Sequence, residues 1–231
     1  MFMSNRFSFP FCEYVGSLFL VIAAISPMIL FLEVFESTLA VAVIADALAV
    51  GFVLIALIET FGPICTAYFN PAVSFAMILT GKLSWKKGFL LSFVQILGGL
   101  TGVFIAHVMY QNVVDGLFGV SLITRSGGLY IAEIFGTFLL VLTILSLSSQ
   151  RNEKTSIIVG FLVGGLLLAT SSTMFANPQV TIARMFTLSA AGISVFDGLI
   201  FIVMQIIGTL LAVLVWKSHL IYFCDNPDLK K

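Results

Sequence analysis

The sequence predicts an all-α membrane protein with six transmembrane helices and two re-entrant half-helices, arranged as an inverted repeat. Three observations carry this prediction. Hydrophobic residues make up 60% of the 231 positions and charged residues only 10%, where soluble domains carry about 25% charged. The mean hydropathy is +1.14, and apolar runs of bilayer-spanning length, about 20 residues, recur along the chain. Two Asn-Pro steps, Asn70-Pro71 and Asn177-Pro178, each open a stretch with helical spacing that is too short to span. Broken hydrophobic segments in matching positions of two halves point to a polar path at the membrane midplane.

In chain order, hydropathy read with breaks at turn residues places spans near 9–31, 39–61, 85–108, 129–149, 156–175 and 196–218. The first run holds Glu13 and no small-residue cleavage signature, which predicts a retained span. The half-spans run from Asn70 to about Leu79 and from Asn177 to about Leu188. With these breaks Arg6, Lys82, Lys86, Lys87, Arg151, Lys154, Lys217, Lys230 and Lys231 fall on one side, and Arg125 and Arg184 on the other. The excess of positive charge on one side predicts a multi-pass protein of the cell membrane with both termini in the cytoplasm.

The halves repeat. Glu13-x-x-Gly16 matches Glu133-x-x-Gly136, Gly51-Phe52 matches Gly160-Phe161, and Gln95-x-x-Gly98 matches Gln205-x-x-Gly208. Three spans per copy is an odd number, so the second copy enters the membrane upside down. Residues 1–231 therefore read as a single membrane domain with internal repeats near 9–108 and 129–218. The repeated glycines are expected to let helices approach closely. Glu13 and Glu133 could serve a proton relay or accept hydrogen bonds from the re-entrant loop of their own half. The second reading is favoured, because each half has one Glu and no His beside it. His107 is a lone histidine near the end of its span, and His219 lies in the C-terminal tail.

Composition also excludes classes. A net charge of zero leaves no nucleic-acid footprint. Cys12, Cys65 and Cys224 are too few and too scattered for a disulfide framework or a metal site. The chain shows no nucleophile–base pair, no metal cluster and no phosphate loop, so neither an enzyme nor a bound cofactor is expected.

Asn is a strong N-cap and Pro fits the first helical position, so each Asn-Pro step starts a helix abruptly. In an inverted repeat the two half-helices meet head-on, each N-terminus carrying roughly half a positive charge. Such a centre repels cations and hydronium, while the carboxamides donate to a passing neutral oxygen. The expected cargo is small, uncharged and hydroxylated.

Phe69-Asn70-Pro71-Ala72-Val73-Ser74, followed by Gly81 and Trp85, resembles the first signature of the aquaporin / major intrinsic protein family, and the resemblance covers essentially the whole chain. The second signature, Asn177-Pro178-Gln179, departs from the usual Asn-Pro-Ala, and Tyr68 stands where the family usually has His. The resemblance implies an hourglass pore in each monomer and a homotetramer in the lipid bilayer. It also implies a selectivity constriction at Val50, Gly165, Met174 and Val180, with Val180 where most members carry Arg. Four apolar or tiny groups there imply a channel for glycerol-like polyols, urea or metalloid hydroxides such as arsenite. The stretch Asn177 to Arg184 is similar to bacterial members linked to arsenic handling.

Arg184 and Asp46 each stand four residues outward of a constriction position, on the same helical face. Of two readings for this outer vestibule, solvated unpaired charges or a facing pair that forms a second gate, the pair is expected, partly exposed and serving as the outer selectivity ring. Three alternatives to the solute channel stay open. The chain could be a water-selective pore. It could be a secondary transporter, for which Glu59 is a candidate acid although its place near the cytoplasmic end of the second span favours exposure to water. It could also be a structural membrane protein closed by Gln179 and Met174.

Overall fold

A computed structural model describes residues 8–150 and 152–220. Arg6, Arg151, Cys224, Lys230 and Lys231 lie outside the described residues, as does the side chain of His219. The regular structure among the described residues is helical: α1 (Ser8–Ile29), α2 (Leu39–Phe61), α3 (Pro71–Leu79), α4 (Trp85–Met109), α5 (Gly128–Gln150), α6 (Thr155–Ala169), α7 (Pro178–Met185) and α8 (Val195–Val215). Wider turns extend α1 over Leu30–Val34 and α8 over Trp216–Leu220. The turn after α1 follows Pro27, which supplies no backbone N–H and clashes with the preceding turn.

Helix starts follow from side-chain caps. Thr38, Ser84 and Ser194 accept hydrogen bonds from the backbone N–H groups of Val41, Lys87 and Asp197. Asn70 and Asn177 do the same for Ala72 and Gln179, with Pro71 and Pro178 at the first helical position.

Five segments among the described residues are long and apolar enough to cross a membrane: Phe9–Val34, Leu39–Phe61, Trp85–Met109, Gly128–Gln150 and Val195–Ser218. The span expected over 156–175 is shorter. α6 has 15 residues, about 22 Å at 1.5 Å per residue. Its end is set by Thr170, whose hydroxyl donates to Leu166 O at 2.8 Å and accepts from Met174 N at 3.0 Å. This local side-chain capping competes with further helix, and the chain then turns inward through Thr173, Met174 and Ala176, all at positive φ. α7 likewise ends at Met185, short of the expected Leu188.

Glycines set the helix pairing. A Cβ on Gly51 would stand 2.9 Å from Gly160 O, and one on Gly164 3.0 Å from Ala47 O, so α2 and α6 pack backbone to backbone. Gly98 and Gly102 meet α1 at the carbonyls of Tyr14 and Leu18, and Gly208 meets α5 at Ile134 O. Gly16 and Gly136 differ from the expectation of helix–helix contact. They make room for loop side chains, the ring of Phe69 and the side chain of Met174. α3 and α7 thus sit between the outer helices, N-terminus to N-terminus.

Candidate functional site: the midplane and the cavity through it

The two half-helices are tied to each other by their own caps. Asn70 Nδ2 donates to Ala176 O at 2.9 Å, and Asn177 Nδ2 donates to Phe69 O at 2.9 Å. The approaches to both caps are strained, because Ala67, Phe69, Met174 and Ala176 hold left-handed backbone without being glycine. What holds them is one buried carboxylate per half. Glu13 accepts from Tyr68 N at 2.9 Å, Phe69 N at 2.7 Å, Gln95 Nε2 at 2.8 Å and the hydroxyl of Thr66. Glu133 accepts from Phe175 N at 2.9 Å, Ala176 N at 2.9 Å, Gln205 Nε2 at 2.7 Å and Ser172 Oγ at 2.7 Å. Two backbone amides, one hydroxyl and one glutamine occupy each carboxylate. Charge-assisted bonds of about 1.5–3 kcal/mol each are enough to offset a left-handed residue costing about 1–2 kcal/mol. The same four-donor set recurs in both halves.

A cavity of about 330 Å³ runs past both caps, from Ser148 and Thr155 at one end to Phe175 and Arg184 at the other. Its wall is mostly apolar. Asn70 and Asn177 supply polar groups at the middle, with Tyr68 beside them. Val50, Met174 and Val180 line it. Gly165 does not: it is exposed, and a Cβ placed on it would meet nothing within 4 Å. The rotation of α6 explains the correction. Gly160 and Gly164 must face α2, which turns Val159, Val163 and Leu167 to the cavity and leaves Gly165 on the outward face. Leu167 is the wall residue near the outer end of α6.

Gln179 is fully buried and is absent from the cavity wall. Its side chain turns to α4 at Gly99 and donates to Phe69 O at 3.3 Å. Met174, the other candidate plug, lines the cavity beside the wall of Gly136 without filling it.

Asp46 and Arg184 meet at 3.1 Å, each side chain 3% exposed. This is a buried pair, where a partly exposed one was expected. Arg184 also donates to Ala24 O and stacks over the Phe175 ring, with its guanidinium carbon 4.5 Å from the centroid. Its Nε has no partner and Asp46 Oδ1 has none.

Sequence reasoning missed two residues here besides Leu167. Phe175 lines the cavity next to Met174. Arg125 reaches the same ring from 5.2 Å and is fixed by Nε donation to Gly192 O at 3.0 Å and by its backbone N–H to Asp197 at 3.0 Å. Burial, and then the charge of Arg184, pushes the Arg125 guanidinium down to about 10, so it stays charged at neutral pH. One signal for it existed: with Arg184 it made up the sparse basic set on the side with little positive charge.

The remaining titratable candidates have partners. His107 is held by Gly116 O at 3.2 Å and Thr187 Oγ1 at 2.7 Å. Glu59 is exposed and accepts from the hydroxyl of Ser156. Cys12 and Cys65 are buried free thiols.

The chain is similar to known proteins in sequence and in fold. The chain is 32% identical over 174 residues to aquaglyceroporin AqpS of Rhizobium meliloti (strain 1021), covering 75% of this chain and 73% of that protein. It is 29% identical over 193 residues to human aquaporin-4, covering 81% of this chain and 53% of the relative. The X-ray structure of the aquaglyceroporin from Plasmodium falciparum superposes with a TM-score of 0.71 at 18% identity, covering 94% of this chain and 97% of that one, a likeness of fold. The sequence model of Major intrinsic protein matches residues 5–176. With a family match over most of its length, the chain belongs to the major intrinsic protein family.

Proposed function

We propose that the protein is a membrane channel for passive permeation of water and small neutral hydroxylated solutes, glycerol-like polyols and metalloid hydroxides such as arsenite among them. The head-on meeting of the half-helices at Asn70 and Asn177, inside a single continuous cavity, carries this reading. Two helix N-termini place roughly half a positive charge each against the path. A cation or hydronium leaving water must meet them in an apolar tube, whereas a neutral hydroxyl loses only hydrogen bonds that the carboxamides replace.

The wall toward the outer end is formed by Val50, Leu167, Met174 and Val180, which offer bulk but no donors. The donor function of the filter moves one turn outward to Arg184, which borders the cavity. Asp46 and Phe175 fix its guanidinium. A solute with several hydroxyls can trade water for Arg184 and then slide along apolar wall. The names of the relatives, an aquaglyceroporin and aquaporins, support this cargo class.

Four further features belong to the same reading. The whole chain acts as one channel unit with repeats near 9–108 and 129–218. Glu13 and Glu133 act as loop supports. Both termini lie in the cytoplasm, because the basic residues cluster on that side. Four copies assemble as a homotetramer through lipid-depth faces rich in exposed apolar residues such as Phe52, Phe93 and Phe161. Stopped-flow light scattering of proteoliposomes under water, glycerol and urea gradients, with arsenite uptake, tests the proposal. Solute flux above empty vesicles that neither saturates nor follows a proton or sodium gradient supports it, and gradient-coupled, saturating uptake overturns it.

A further inference from the structure

The two half-helices differ at the third position of the Asn-Pro step, Ala72 in one and Gln179 in the other. A glutamine aimed into the cavity at this level would obstruct it, but Gln179 is 0% exposed and points away. Its socket is Gly99 on α4. A Cβ there would run into Gln179 Oε1 and stand 3.3 Å from the Gln179 backbone oxygen. The residue in the matching place of the second half, one after Gly208, is Thr209. The glycine therefore goes with the glutamine.

The amide end of Gln179 makes the difference to the path. Gln179 Nε2 donates to Phe69 O at 3.3 Å, and the same oxygen accepts Asn177 Nδ2 at 2.9 Å. A carbonyl oxygen has two lone pairs, so both are engaged. Across the midplane, Ala176 O takes Asn70 Nδ2 as its one side-chain donor among the described residues. Gln179 Oε1 is buried without a partner, which is unfavourable in the interior. The donor at the other end of the carboxamide has to offset that cost.

Resting on the channel reading, we infer that Gln179 is a positioning residue that ties α7 to Phe69 O across the midplane, fixes the Asn177 carboxamide, and closes that carbonyl to permeating molecules. Gly99 exists to receive it. A water molecule has few hydrogen-bonding groups and loses a large share of them when one acceptor is closed. A polyol reaches several acceptors at once and loses less when one is closed. Gln179 thereby tilts the pore away from water.

The test uses full-length protein in proteoliposomes: wild type, Gln179→Met, Gln179→Ala, Gly99→Ala and the Gly99→Ala/Gln179→Ala double variant. Gln179→Met keeps the bulk and removes the donor. Both Gln179 variants should raise the water-to-glycerol permeability ratio about threefold or more, the size of one hydrogen bond regained. Gly99→Ala alone should lower both fluxes and the melting temperature in detergent, and the double variant should recover both. A wild-type ratio in Gln179→Met overturns the tie across the midplane, and failure of the double variant to recover overturns the socket. No flux in wild type above empty vesicles would sink the channel reading itself, whereas a conducting wild type with unmoved variants sinks only the role of Gln179.

Discussion

Replacing Asp46 by Ala would leave the Arg184 guanidinium buried with a backbone carbonyl, an aromatic ring and no counter-charge. At 3.1 Å the pair's attraction is about 5 kcal/mol for an effective dielectric near 20. Desolvation of both ions offsets much of that, so the pair adds little net stability over an apolar pair. Breaking it is another matter, and removing one partner of a buried pair costs about 3–5 kcal/mol. Arg184 borders the cavity, where water can relieve part of the loss, which puts Asp46→Ala toward the lower figure. Asp46 does not border the cavity, so Arg184→Ala should sit toward the upper one. The Asp46→Ala/Arg184→Ala double variant should be less destabilised than the sum of the singles by about 2 kcal/mol or more, since no unpaired charge remains. Thermal unfolding in detergent micelles, followed on all four proteins, reads this directly. Single losses under about 1 kcal/mol that simply add would refute the buried-pair account and return both residues to a solvated vestibule.

The other expectations concern the wall, the supports and the caps. Leu167→Phe should narrow the path and lower glycerol flux more than water flux, while Gly165→Phe, on the outward face of α6, should leave the glycerol-to-water ratio near wild type in the same stopped-flow assay. Glu133→Gln replaces one acceptor oxygen with a donor facing existing donors. The second half should lose about 1.5–3 kcal/mol for each bond broken, seen as a lower melting temperature, with Glu13→Gln doing the same in the first half. Asn70→Asp or Asn177→Asp places a negative charge against the helix N-termini and should raise cation leakage in vesicle ion-flux measurements.

How far the chain could be read depended on which features are local. The half-helix starts were legible because an Asn cap and a Pro at the first position act within two residues. The matching bonds of Glu13 to Gln95 and of Glu133 to Gln205 follow from a repeat in the sequence, because each carboxylate recurs with its glutamine at nearly the same spacing. α6 was less legible: the apolar run resumes at Met174, and the chain is drawn off the helix by the Thr170 hydroxyl, which accepts from Met174 N, and by Glu133, which holds Ser172, Phe175 and Ala176. Gly165 was misplaced because its rotation is decided on another helix, by the glycine contact with α2. The Asp46–Arg184 pair could be anticipated from helical phase, but its burial could not. That comes from Ala24 and Phe175, far apart in sequence. Arg125 belongs to an irregular segment between α4 and α5 whose path no periodicity describes.

A positive, carboxamide-lined midplane should pass neutral hydroxylated solutes and refuse charge. Purified protein in proteoliposomes should be assayed for glycerol permeation by stopped-flow scattering and, on the same preparation, for proton and cation flux with trapped pH-sensitive and ion-sensitive dyes. Glycerol flux well above empty vesicles is expected, with ion and proton flux at the background. Ion flux rising in step with glycerol flux would contradict it.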